Sequence, residues 1–295
     1  MIKLQTYVVG TFFYLSSLLP MWVHYILSDL LYPILYYIMG YRRGVVKRNI
    51  ANAFPEKTPE EQRAIVRGFY HFFSDYIAET CKLLTMSEKQ MRRRMTFDGA
   101  ADVEKALEDH DFVFIYLGHY CNWEWISSMP LWFKPGQHCA QLYRPLNNEA
   151  FDKVFMRLRT RFGAENIAKN DSLRRIVSLK REGTKSVIGF ISDQRPRRVN
   201  IHDWVTFLSQ DTPVFTGTER IAKKMNAAIF FADVQRKRRG HYHCHLRPLT
   251  MDPTSFPDYE LTELYMRELE GIIRRQPELY LWSHKRWKLK RKEGE

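Results

Sequence analysis

Between Asp111 and Trp125 the chain reads DFVFIYLGHYCNWEW, and this stretch constrains the fold more than any other. Phe112 to Leu117 is an apolar run rich in β-branched and aromatic residues, closed by Gly118, as expected of an interior strand. The strand would deliver His119 to a turn, with Glu124 five positions on. Five residues on an ideal helix advance ~500°, which leaves the two side chains ~140° apart and off a common face. They can meet only if His119 sits in the strand-to-helix turn and Glu124 in the first helical turn. In that arrangement the Glu124 carboxylate would reach back to Nδ1 and fix the tautomer, leaving Nε2 free as a base.

Further along, QHCAQLYRP reads as a second strand leaving at Arg144, and NEAFDKVFMRLRTRFG as a helix ending at Gly163 with Arg157, Arg159 and Arg161 in its last turns. Those arginines could simply complement the helix dipole. SLRRIVSLKREG is helical, and TKSVIGFISDQ is a buried strand ending on Asp193-Gln194. DTPVFTGTERIAKKM suggests a Thr-Pro turn and a helix, AAIFFADVQRK a strand pairing with HYHCHLRPL, and the residues from Leu261 to about Arg275 a further helix. This alternation predicts an α/β domain with a mixed, mostly parallel central sheet flanked by helices. In such sheets ligands gather at the carboxyl ends of strands, and His119, Arg144 and Asp193 each follow such an end.

The amino-terminal segment is of another kind. From Tyr7 to Tyr41 there is no lysine or arginine, and Asp29 is the only acidic residue. A spanning helix needs ~20 mostly apolar residues, so residues 1–41 read as a membrane anchor, interrupted by Pro20, His24, Asp29 and Pro33. It could be one spanning helix followed by an interfacial one, or a hairpin lying shallowly in one leaflet; a pair of amphipathic core helices is the alternative. Arg42, Arg43, Lys47 and Arg48 follow directly, which places the remainder in the cytoplasm. Residues 44–95 look helical, with Thr58-Pro59 opening a long amphipathic helix that packs by Ile65, Phe69, Phe72, Phe73, Tyr76 and Ile77. The domain division is therefore 1–41 anchor, 42–275 α/β domain, and 276–295 a basic tail, frayed or membrane-associated.

A formal charge of +13 calls for a polyanionic neighbour, without choosing among nucleic acid, an anionic membrane, a phosphorylated substrate or an acidic protein. The apolar amino terminus favours the membrane over nucleic acid. Cys81, Cys121, Cys139 and Cys244 contain no CxxC pair, so neither a disulfide scaffold nor a zinc ribbon is indicated. Cys121 lies within the motif, but only His119 could activate it. In HYHCHL a strand would put His241, His243 and His245 on one face, yet no fourth ligand lies nearby, and a solvated edge strand is the simpler reading. A histidine base without a neighbouring serine suits a reaction in which the substrate brings its own hydroxyl or amine.

These residues carry a resemblance. HYCNWE matches an H-x4-D/E motif, and together with VVKRNIANAFPE, YRPLNN, RLRTRFG, GFISDQ and PELYLWSHKRW it makes the chain resemble the late lipid A acyltransferases, the lauroyl/myristoyl transferase family, over nearly its whole length. The resemblance implies a glycerolipid-acyltransferase-like fold. It also implies transfer of a fatty acyl chain from acyl carrier protein, as co-substrate, to a hydroxyl of a phosphorylated glucosamine lipid on the cytoplasmic side of the inner membrane. It implies His119 as general base, Glu124 as its orienting partner, Arg159 holding a phosphate or developing negative charge, and Asp193 at the later strand end. Arg144 and Arg161 are further candidates for the substrate's phosphates. No cofactor, metal or nucleic acid is expected; anionic lipids are expected partners. The HYHCHL strand is not part of the family pattern. A lysophospholipid or aminolipid acceptor would fit the same fold, and a non-catalytic basic membrane or nucleic-acid adaptor is the rival from another class.

Overall fold

The computed structural model describes residues 2–291, with side chains from Val9 onward. Two helices open it, α1 (Ile2–Leu18) and α2 (Met21–Pro33), the latter running into a short wider turn at Ile34–Ile38. Three more follow: α3 (Arg43–Ala53), α4 (Pro59–Leu83) and α5 (Glu88–Arg94). Helix α4 starts where the sequence places it, because Thr58 and Glu61 close a reciprocal capping box around Pro59. Strand β1 (Met95–Asp98), α6 (Ala100–Asp109) and β2 (Phe112–Leu117) lead to the motif. Beyond it lie β3 (His138–Tyr143), α7 (Glu149–Arg159), β4 (Glu165–Ala168), α8 (Ser172–Arg181) and β5 (Ser186–Ile191). A hairpin of β6 (Trp204–Phe207) and β7 (Gln210–Pro213), then α9 (Gly217–Met225), β8 (Ala228–Arg238), β9 (His241–Thr250) and α10 (Glu260–Arg275) complete the chain.

The central sheet has the order β1-β9-β8-β2-β5-β3-β4. Every pairing in it is parallel except β8 with β9. Strand β2 lies at its centre with all six residues buried, which is why it reads as a continuous apolar run rather than an alternating one. Two expectations change. The Thr-Pro sequence lies at the end of β7, within a hairpin that the sequence had not suggested. Strand β9 is not an edge: it is held between β8 and β1, with His241, His243 and His245 on its less buried face.

The basic tail is also different from expectation. Trp282 and Arg286 are fully buried, and Trp282 packs against Phe54 and Tyr280. Asn49 in α3 donates to the carbonyls of Trp282 and His284, so residues 276–291 are threaded into the domain rather than trailing from it. The segment lacks apolar content to pack alone, but it completes a core built by others. Residues 292–295 lie outside the described residues.

Among the described residues no single helix is long and apolar enough to cross a membrane; Val9–Leu18 and Met21–Ile38 of the amino-terminal pair reach that measure only together, bent by 118°. The break falls at Pro20, whose extended backbone starts α2 afresh. One side of the pair is fastened to the domain. The buried Lys82 ammonium donates to the carbonyls of Ser17 and Leu19 at 2.8 and 2.9 Å, capping α1 from outside. Arg239 bridges Asp29 of α2 and Asp75 of α4, and Ser28 donates to Asp75 at 2.6 Å. The opposite side exposes Phe12, Leu15, Leu18, Trp22, Ile26, Leu30 and Ile38 to solvent. Such a contiguous apolar face on a protein surface is a contact surface for something apolar.

Candidate active site

The end of β2 packs tightly: a Cβ on Gly118 would fall 2.5 Å from Cδ1 of the buried Leu269 in α10. The chain then turns through His119 and Tyr120 to Cys121, which adopts a left-handed φ of 52°. The carboxyl-terminal segment clamps this turn, since Leu281 N–H donates to the His119 carbonyl and Cys121 N–H donates to the Leu279 carbonyl. Below it, Asn122 donates to Glu79 of α4 at 2.7 Å and accepts from the Trp125 N–H. Glu79 also accepts from Tyr25 of α2 and Tyr242 of β9. Burial raises its carboxyl to about 7, against the opposing pull of the donors around it.

The sequence reading of the central pair is corrected here. Residues Trp125–Trp132 form a tight 3₁₀ segment instead of an α-helix, and Glu124 at its entrance pairs with Arg159 rather than with His119. Its carboxylate takes a bidentate pair from Arg159, Nε to Oε2 at 2.8 Å and Nη2 to Oε1 at 2.7 Å. Asp193 is the carboxylate on His119: Nδ1 lies 2.6 Å from Oδ1, and the His119 N–H donates to Oδ2 at 3.2 Å. The cause is strand register. Leu117 pairs with Ile191 in the parallel β2/β5 ladder, so residues two beyond each strand end come side by side.

Burial would push the Asp193 carboxyl up, but the charge of His119, the two hydrogen bonds from it and the charge of Arg286 outweigh burial and hold it below its ordinary value. An ionised Asp193 accepts only, so the proton on Nδ1 belongs to the ring, and Nε2 is the nitrogen turned from the carboxylate. Gln194 places its amide nitrogen 3.0 Å from that Nε2. Nε2 opens on a cavity of about 660 Å³ that runs between β2, β3, β5 and α9 and is lined by Ile126, Met129, Ala140 and Phe190 as well as by Glu124, Arg144 and Arg159.

The remaining candidates separate. Arg144 is exposed on the rim of this cavity. Arg161 is not at the site: its guanidinium donates to the carbonyls of Leu84 and Met86 and pins the turn after α4. The Cys121 thiol is wholly buried, and burial raises it well above its ordinary value, so it offers no thiolate. His243 and His245 both face Asp98, and among the described residues no group of three or more histidine, cysteine or acidic side chains is arranged to hold a metal ion.

Sequence reasoning missed Gln194, His284 and Arg286. His284 accepts from the Arg195 N–H at 3.4 Å, and burial, assisted by the charges of His119, Arg286 and Arg195 and opposed by Asp193, lowers its ring to about 4. The sign for stability follows. Between pH ~6.5 and ~4 the unfolded chain binds a proton on this histidine that the folded chain refuses, so stability falls as pH falls through that window. Urea unfolding of the wild type at pH 6.5 and 4.5 should therefore show a loss of up to about 2 kcal/mol that a His284→Gln variant lacks.

The family model described as bacterial lipid A biosynthesis acyltransferase matches residues 3–289. The lipid A biosynthesis myristoyltransferase of Escherichia coli K12 is 22% identical over 256 residues, covering 86% of this chain and 76% of its own. The palmitoleoyltransferase of the same organism is 24% identical over 84% of this chain and 79% of its own. Its lauroyltransferase is 24% identical over 90% of this chain and 89% of its own. A family match across residues 3–289 identifies the chain as an acyltransferase enzyme belonging to the bacterial lipid A biosynthesis acyltransferase family.

Proposed function

We propose that the protein transfers a fatty acyl chain from the thioester of acyl carrier protein to a hydroxyl of a lipid A precursor, with His119 as the general base and Asp193 as the carboxylate that orients it. The observation that carries this reading is the division of the imidazole: Nδ1 is held by a buried carboxylate, while Nε2 faces the cavity. In the reaction the acceptor oxygen attacks the thioester carbonyl carbon and gives its proton to Nε2. The tetrahedral oxyanion collapses, the carbon–sulfur bond breaks, and the leaving thiolate takes the proton back from the imidazolium. The Gln194 amide, beside Nε2 in the free enzyme, gives way to the acceptor hydroxyl and offers a donor for the developing oxyanion. The apolar part of the cavity receives the acyl chain, its volume lying within the usual ~300–1,000 Å³ of small-molecule sites.

Glu124 enters this scheme as the residue that positions Arg159 at the cavity wall, rather than as the partner of His119. The exposed apolar face of α1 and α2 lies in the surface of the inner membrane, in the manner of an interfacial hairpin, with the excess positive charge toward anionic lipid and acidic carrier protein. Three relatives named for three different acyl chains leave the chain length to the residues at the cavity floor.

Mass spectrometry of lipid A from cells lacking the gene, complemented with wild type or His119→Ala, tests the proposal. Loss of one acyl chain, restored by the wild type alone, is the expected result. Restoration by His119→Ala would remove the histidine from the mechanism, and an unchanged lipid A would point to another acceptor.

A further inference from the structure

Both arginines expected from the helix α7 region to meet a phosphate are already engaged, Arg159 by Glu124 and Arg161 by two backbone carbonyls. The same cavity nonetheless carries Arg144, Lys169 and Arg195 on its lining. Among the described residues, none of the three side chains has a carboxylate partner. The Lys169 ammonium lies 4.0 Å from the centre of the Phe215 ring instead. Of the acidic side chains on the neighbouring segments, Glu124 is paired with Arg159, Asp152 accepts from the Leu146 N–H and Asp171 pairs with Arg174. Burial and then the positive charges of Arg144 and Arg197 push the Lys169 ammonium down, as expected where like charges gather unrelieved. Two helix starts add to the field: Ser172 of α8 and Gly217 and Thr218 of α9 line the same cavity, and Thr216 places no side-chain cap on α9.

A thioester carbonyl and an alcohol bring no charge to the reacting centre, so these cations face a charged part of a substrate at a distance from it. We propose that Arg144, Lys169 and Arg195 form a phosphate-ester subsite on the rim of the acyl cavity. The inference rests on the acyl-transfer reading above and adds the part of the substrate that the rim grips. Guanidinium forks and an ammonium suit the several oxygens of a phosphate better than a single carboxylate would. Two substrates offer that chemistry, the donor through the phosphodiester of its pantetheine arm and the acceptor through phosphates on its sugars.

The test uses the purified full chain and four substrates: an acyl-pantetheine with and without its phosphate, and a lipid acceptor with and without its phosphates. For the wild type, removing the phosphate from one of the two should lower kcat/KM by about tenfold or more. A Lys169→Gln/Arg195→Gln variant should lose that factor on the phosphorylated form and little on the other, and Lys169→Arg should retain it. The arm that responds names the source of the phosphate. Indifference of the wild type to both phosphates, or an equal loss by the variant on both forms, would overturn the subsite while leaving acyl transfer intact. Inorganic pyrophosphate gives a readout independent of turnover: it should raise the melting temperature of the wild type and not of the variant. That shift in a protein that acylates no lipid would keep the subsite and reject the acyl-transfer reading.

Discussion

Asp193→Asn is expected to lower kcat by about 10³–10⁴-fold while the protein stays folded, because the amide no longer enforces the Nδ1–H tautomer or stabilises the imidazolium. Asn occupies the volume of Asp, and its carbonyl oxygen can still accept the His119 N–H that Oδ2 accepts now. The measurement is single-turnover acyl transfer beside a urea unfolding curve, with the pH profile of kcat as the discriminating readout. Asp193 is held ionised below its ordinary value, so on the proposed mechanism the variant should lose rate at every pH at which the wild type works. A variant that keeps more than a tenth of wild-type turnover would return the orienting role to some other group. Glu124 would have to be reconsidered first, although Arg159 holds its carboxylate in this fold.

The second large effect is on stability. Glu124 is 3% exposed and Arg159 20% exposed, and the two meet by a bidentate pair. Burial alone would lower the Arg159 guanidinium, but the Glu124 charge and hydrogen bonds reverse that and raise it. Removing one partner strands the other in a site with little water, at a cost of about 3 kcal/mol. Glu124→Gln and Arg159→Gln should each lower the unfolding free energy by that amount, whereas the double replacement Glu124→Leu/Arg159→Met should recover most of it. Additive losses in the double variant would mean that the two side chains act independently. In activity the two single variants should resemble one another, since each leaves the Asp193–His119 contact in place and disturbs the same wall of the cavity.

The elements of the domain are legible in the sequence where a local rule governs them. Thr58-Pro59 with Glu61 fixes the start of α4, and the unbroken apolar run of Phe112–Leu117 marks a central parallel strand. Short pieces escape such rules. Strand β4 is four residues long, and the β6/β7 hairpin has four-residue strands joined through Leu208 and Ser209, both at positive φ without a glycine to signal the turn. The tail was misread for another reason: Trp282 and Arg286 are buried by α3, β7 and the motif turn, none of which is near them in sequence.

The same division runs through the site. From the sequence alone came the histidine at the end of a buried strand, the aspartate at the end of another, and the arginines near both. How they pair was decided by the tertiary structure, because pairing depends on distance in space and the sequence supplies only distance along the chain. Glu124 stands five residues from His119, yet its partner is Arg159, 35 residues away; Asp193 reaches the ring across 74 residues, since two parallel strands end in register. In the amino-terminal segment, likewise, composition determined an apolar surface. Only the bend at Pro20 and the anchoring of that segment by Lys82 and Arg239 decided which of its apolar residues face outward.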